Sequence, residues 1–159
     1  AQIARQNGFV ACTISRTSGR GKHLTWDREL FTRLFGKKSA AGQYQKLFRK
    51  PYHVYDSRKA LPFKDLNPPE GMDLYPCVFP GWDNTPRAGL DGQVFMHSSP
   101  ELFQKHLAQA CARVADYPAE HQIIILKSWN EWAEGNYLEP DQRFGMGFLE
   151  AVKAFQNGQ

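Results

Sequence analysis

The chain has 159 residues, 42% hydrophobic and 13% aromatic, a composition that builds a packed core and excludes a disordered chain. No apolar run reaches the length that crosses a bilayer, and the opening AQIARQNGFVACTIS lacks the regions of a secretory signal. It also lacks an initiator Met, so Ala1 is not expected to be the natural start. The net charge of +4 is unevenly spread: residues 1–64 hold 14 Lys and Arg against 3 Asp and Glu, and residues 65–159 hold 6 against 13. A basic half suits nucleic acid, an anionic membrane or a phosphorylated substrate, and equally an ordinary solvated surface. No DNA- or RNA-binding motif accompanies the charge, so nucleic acid is not the expected partner.

In chain order, FVACTIS (Phe9 to Ser15) has the pattern of a strand, followed by a Gly-rich basic loop, SRTSGRGKH. Thr25 is placed to cap a helix through Phe35, with Trp26, Leu30, Phe31 and Leu34 on one face and Gly36 as the stop. A second short helix over Gln43 to Arg49 ends before Pro51, and His53 to Tyr55 forms a brief strand. NPPEG at 67–71 is a turn. Tyr75 to Phe79 is a strand despite Pro76. Ser98 and Ser99 before Pro100 start a helix whose apolar face is Phe103, Leu107, Ala110 and Val114, with Pro118 beyond its end. Gln122 to Leu126 is the clearest strand, apolar and β-branched throughout, as for a strand covered on both faces. Gly147 to Phe155 closes the chain as a helix, with Leu149, Val152 and Phe155 inward. The three cysteines, Cys12, Cys77 and Cys111, have no paired spacing and are expected as buried free thiols. The five scattered histidines offer no metal-ligand spacing, and no cofactor is implied.

Alternating strands and helices imply an α/β chain with a parallel sheet. In such folds chemistry collects beyond the C-terminal ends of the strands. Two polar clusters fall there. The first, SWNEWAEG, places Glu131 and Glu134 three residues apart, a spacing that lets both carboxylates face one pocket. Mutual repulsion and an apolar wall would raise the pKa of at least one, giving an acid and a base for glycosidic chemistry. Trp129, Trp132 and Tyr137 offer flat rings for the C–H faces of a sugar, Asn130 a hydrogen bond to a hydroxyl, and Gly135 a tight turn. For an arbitrary E-x-x-E, exposed loop carboxylates among core tryptophans are the commoner case. Glu139 is expected to be structural.

The second cluster is PGWDNTPR. Asp-Asn-Thr-Pro is turn chemistry, and a plain turn accounts for it. The functional alternative uses Trp82 as a platform and Asp83 and Asn84 as hydroxyl binders. Arg87 then either binds a phosphate or carboxylate or holds Glu131 or Glu134 ionised. His97, Tyr55 and Asp56 are weaker candidates.

Taken together, FPGWDNTPR, then WNEWAEGNYLEPD, then FGMGFLEAV resemble the WbsX-like glycosyltransferase family, a relative of glycoside hydrolase family 99, the endo-α-mannosidases. The resemblance is strongest over Tyr75 to Phe155. It implies a (β/α)8 TIM-barrel fold, of which this chain covers roughly the C-terminal half with about four strands, since a full barrel needs about 250 residues. The missing N-terminal half, or another copy, would then be a partner. In the related hydrolases the motif is N-E-W-H-E-G and carries both catalytic carboxylates. By that match Glu131 acts on the sugar 2-hydroxyl, promoting a 1,2-anhydro intermediate, and Glu134 is the acid/base. Ala133 stands where the hydrolases carry His, which removes a sugar contact and favours the WbsX-like branch.

The leading expectation is an enzyme that makes or cleaves a glycosidic bond in surface polysaccharide of O-antigen type. Its catalytic pair would be Glu131 and Glu134, with Trp82, Asp83, Asn84, Arg87, Asn130, Trp132 and Tyr137 lining the site for a glycan or activated sugar. It is expected in the cytoplasm, at the inner face of the membrane as a peripheral partner. The rivals are a non-catalytic sugar-binding or inactive fragment of such an enzyme and a nucleic-acid-binding protein using the basic half.

Overall fold

The structure, a computed structural model, describes residues 11–15, 26–59 and 72–157. The expected basic loop at 16–23, the Thr25 cap and the 67–71 turn lie outside the described residues. In chain order the elements are β1 (Ala11–Ser15), α1 (Trp26–Phe48), β2 (His53–Asp56), β3 (Asp73–Val78), β4 (Trp82–Asp83), α2 (Thr85–Ala88), β5 (Gln93–Met96), α3 (Pro100–Val114), β6 (Ile125–Leu126), β7 (Asn130–Glu131), β8 (Asn136–Tyr137) and α4 (Gly147–Gln156).

The main sheet is parallel, in the order β1–β3–β6. Among the described residues it has three strands. Along β3, Leu74, Pro76 and Val78 are buried, and Val78 packs on Phe103 and Leu107 of α3. Pro76 is tolerated because β6 pairs only with Cys77 and Val78, leaving one side of β3 unpaired at the proline. Helix α3 follows its sequence signals closely. Ser99 is extended and its Oγ accepts from the Leu102 N–H at 3.3 Å, Pro100 occupies the first turn, and Phe103, Leu107, Ala110 and Val114 are buried at i, i+4 and i+3 spacing. Helix α4 completes this core with Phe148 and Ala151, flanked by Leu149, Val152 and Phe155.

Two expectations require correction. The strand expected over Gln122 to Leu126 shrinks to two residues and is not covered on both faces. Ile124 and Leu126 pack against the α3–α4 core, while Ile123 and Ile125 are exposed at 45% and 38%. The reason is positional: among the described residues β6 is the edge strand of its sheet, and α3 and α4 pack on the side of Ile124 and Leu126. Helix α1 also turns differently. Gly36 (φ 71°, ψ 159°) does break it, but a second helical stretch starts at once and folds back, packing Ala40 and Tyr44 against Tyr52. Tyr44 OH donates to Asp27 Oδ2 at 2.8 Å and the Phe31 ring meets Tyr44 edge-on. Phe31 therefore sets the inward side, and Leu30 and Leu34 point outward.

A second sheet, ordered β2–β5–β4, pairs β2 parallel and β4 antiparallel to β5. Strand β5 had no clear sequence signal. Its place is fixed from outside by Asn84, whose Oδ1 accepts the Gln93 N–H at 2.7 Å. At the end of β2, Asp56 has a side chain only 1% exposed and receives Arg58 Nε and Nη2 at 2.9 and 2.8 Å. Those bonds hold its carboxyl down at about 2, from an ordinary 3.8, against the upward push of burial. A depressed folded-state pKa gives stability that is complete above about pH 4 and fades as pH falls toward 2. Asp56→Asn is expected to lower unfolding free energy by about 1–2 kcal/mol at neutral pH and to flatten the acid limb of stability against pH, measured by denaturant titration. An unchanged acid limb would remove Asp56 from the account.

Candidate active site

Both polar clusters emerge beyond the C-terminal ends of neighbouring strands, β3 and β6, which is why they meet. After β3 the chain runs through Pro80 and Gly81 into β4, then into the short helix α2. After β6 it passes Lys127 and Ser128 into the β7–β8 hairpin, whose tip is a 3₁₀ turn, Trp132–Glu134, closed by Gly135 in the left-handed region (φ 55°, ψ 34°). Asn136, fully buried, braces the hairpin: its Oδ1 accepts the Ser128 N–H at 3.1 Å, and Ser128 Oγ donates to its carbonyl at 2.7 Å. Ser128 Oγ also accepts the Glu131 N–H at 3.2 Å, which fixes where the first carboxylate leaves the backbone.

The turn brings both glutamates to one guanidinium. Arg87 Nη1 donates to Glu134 Oε1 at 3.1 Å, and its Nη2 lies 3.9 Å from Glu131 Oε1. Lys127 Nζ meets the other oxygen of Glu134 at 3.5 Å and stands 4.2 Å from the centre of the Trp82 ring. Glu134 is 16% exposed and has a cation against each oxygen; Glu131 is 40% exposed and Arg87 60%. The sequence left two roles open for Arg87, and the geometry selects the ion pair. Lys127 was not singled out by sequence reasoning. Its signal was its position, the first polar side chain after an apolar strand that ends at the carboxylate loop.

The rings divide into two groups. Trp132 stacks on Tyr137 with centroids 3.7 Å apart and planes 13° from parallel, leaving its other face and nearly half its surface open. Its indole N–H donates to Glu139 Oε2 at 2.7 Å, so Glu139 is structural, as expected, through a different partner. Tyr137 OH donates to Asp141 Oδ2 at 3.1 Å; burial and that bond push its pKa up. Trp129 is 57% exposed at the start of the hairpin and Asn130 beside it is exposed. Trp82 belongs to the other group, edge-on to Phe79 under Lys127. Asp83 Oδ1 accepts from Thr85 N and Oγ1 at 3.0 and 2.6 Å, and Asn84 Oδ1 is bound by Gln93. These oxygens hold the loop in shape, as the turn chemistry of Asp-Asn-Thr-Pro implied. Trp82, Asp83, Gly135 and Tyr137 also line a cavity of about 380 Å³ that extends to His97 and Arg143. Glu131 and Glu134 are not among the residues that line it.

An α/β chain that gathers carboxylates, cations and open indole faces on the loops beyond its parallel strands has the make-up of a carbohydrate-active protein. The chain belongs to the family described as Glycosyltransferase WbsX, whose profile matches residues 6–152. It is similar to two curated proteins, each named Uncharacterized protein WxcX, from two strains of Xanthomonas campestris pv. campestris. Both are 40% identical over 101 residues, covering 63% of this chain and 14% of the relative. The chain thus spans a small part of the length of those relatives. No solved structure matches it.

The two loops touch through glycines. A Cβ on Gly135 would lie 3.0 Å from the Asp83 nitrogen and 3.3 Å from its carbonyl oxygen, in a backbone region that L side chains rarely adopt. Gly135→Ala is therefore expected to lower unfolding free energy by about 1–3 kcal/mol, read from denaturant midpoints. Wild-type stability in that variant would contradict the close approach.

Proposed function

We propose that the chain is the part of a glycosyl-transferring or glycosyl-hydrolysing enzyme that carries its acid pair, Glu131 and Glu134. The substrate class is a glycan or activated sugar of surface polysaccharide of O-antigen type. One observation carries the reading: two glutamates on a single tight turn converge on Arg87, a residue from the loop beyond the neighbouring strand. In this reading the parallel strands β1, β3 and β6 are an arc of a (β/α)8 barrel. Parallel pairing of β1, β3 and β6, with α3 and α4 packed on the sheet, supports that assignment. The rest of the barrel is supplied by the remainder of a longer protein or by another copy.

The chemistry follows from the arrangement. Glu131, the more exposed acid, takes the proton of the sugar 2-hydroxyl, whose oxygen then attacks the anomeric carbon as the bond to the leaving oxygen breaks. Glu134 gives a proton to that leaving oxygen; in the second step it takes the proton of the incoming hydroxyl or water, whose oxygen bonds to the anomeric carbon as the bond to the 2-oxygen breaks, and Glu131 returns its proton to the 2-oxygen. Glu134, which moves a proton in both steps, has Arg87 against one oxygen and Lys127 against the other. To donate one in the first step it must be released from Arg87, whose exposed guanidinium is free to turn to a substrate oxyanion. The open face of Trp132 is a platform for the sugar ring. Ala133, exposed at the tip of the turn, adds no polar group.

A non-catalytic sugar-binding role is the second reading, favoured by the absence of both acids from the lining of the cavity that Trp82 and Tyr137 border. Glutamine at either acid separates the two. Under the enzymatic reading, Glu134→Gln and Glu131→Gln each lower turnover of a glycan or activated-sugar donor by about a hundredfold or more while glycan binding persists. Unchanged turnover in Glu134→Gln sinks the acid/base role, and glycan binding by a wild type that turns over no donor establishes the binding module.

A further inference from the structure

We propose that the folded-back helix α1 is a docking face for an anionic lipid surface. Four large apolar side chains near the ends of its two stretches are turned to solvent: Leu34 (65% exposed), Phe35 (46%), Leu47 (67%) and Phe48 (44%). Phe35 and Phe48 share a patch, since the Phe31 ring lies 5.3 Å from the first and 5.7 Å from the second, and Leu34 and Leu47 are their chain neighbours. An ordinary solvated helix does not present such a cluster. Around it the segment 30–50 carries Arg33, Lys37, Lys38, Lys46, Arg49 and Lys50 and not one Asp or Glu. All six are exposed.

The orientation is held from behind. Ala40 and Tyr44 are buried against Tyr52, Thr32 and Tyr52 hydroxyls bond each other, and Gln45 Nε2 donates to Leu90 O at 2.8 Å and Asp91 Oδ1 at 3.0 Å. The apolar tips and the cations are therefore left on the free side. Exposed leucine and phenylalanine in a stretch that carries six cations match the boundary between acyl chains and anionic headgroups, the acids of α1, Asp27 and Glu29, being confined to its first turn. Nucleic acid would use the same cations but has no place for Leu34 and Leu47, since aliphatic side chains do not stack on bases. Among the described residues no helix is long and apolar enough to cross a membrane, so the contact is peripheral. This inference is independent of the Glu131–Glu134 chemistry.

The test is co-sedimentation of the chain with vesicles of mixed phosphatidylglycerol and phosphatidylcholine, against vesicles of phosphatidylcholine alone. The chain should partition onto the anionic vesicles and be released by raised salt. Lys37→Gln with Lys38→Gln should weaken partitioning about thirty-fold, at about fivefold per cation. Leu34→Ser with Leu47→Ser, at positions too exposed to support the fold, should weaken it about tenfold or more. Circular dichroism checks that each variant remains folded. No partitioning by the wild type, or equal partitioning onto neutral vesicles, overturns the proposal. So does tighter binding to single-stranded RNA than to vesicles, or a lipid-free dimer that Leu34→Ser with Leu47→Ser dissolves.

Discussion

The guanidinium of Arg87 is the point where the two halves of the site become one. It comes from α2, beyond β4, and reaches the carboxylates of a turn beyond β6. Exposed ion pairs of this kind contribute little to stability, typically under about 1 kcal/mol. Their value here is positional. Without Arg87, Glu131 would lose that cation and Glu134 would keep only Lys127. With it, and with Lys127 on the second oxygen of Glu134, the less exposed acid keeps one orientation. Everything proposed for the chemistry rests on this convergence: a common cation gives the two carboxylates a common place to act.

The elements legible in the sequence were those whose signals are local. Ser99–Pro100 and the Phe103, Leu107, Ala110, Val114 spacing specified α3, because cap and stripe are written in consecutive residues. Gly36 was correctly marked as a break, since its backbone conformation suits glycine. What failed was long-range. The apolar run Ile123 to Leu126 is indistinguishable by pattern from a strand buried on both faces; only its position at the sheet edge leaves Ile123 and Ile125 bare. Leu30 and Leu34 satisfy a helical stripe as well as Phe31 does. The fold-back at Gly36 decides which of them faces the core, and no residue within one turn records that decision. Strand β5 was invisible because its register depends on Asn84, nine residues upstream.

The candidate site was legible to a similar depth. Residue types and their place after strands marked the two clusters, while Arg87 was left open between a substrate anion and the glutamates it meets in the structure. The roles of Asp83 and Asn84 were left open between turn and ligand, and their hydrogen bonds to Thr85 and Gln93 show the turn at work. Lys127 and the Ser128–Asn136 brace escaped notice, since nothing in KSWNEWAEGN shows that a serine and an asparagine eight residues apart will close a hairpin.

The glycine contacts between the two loops carry a consequence for engineering. Gly81 lies against the carbonyl of Gly135, and Gly135 against the backbone of Asp83, each at the separation a methyl group would violate. The 80–87 and 127–137 segments are thus mated surfaces, cut to one another at the level of main-chain atoms. A chimera that transplants one segment onto a foreign barrel while keeping the host's version of the other would inherit the acids without the spacing that aims them. Recombination between homologues should tolerate crossovers elsewhere in the fold far better than any that part this pair.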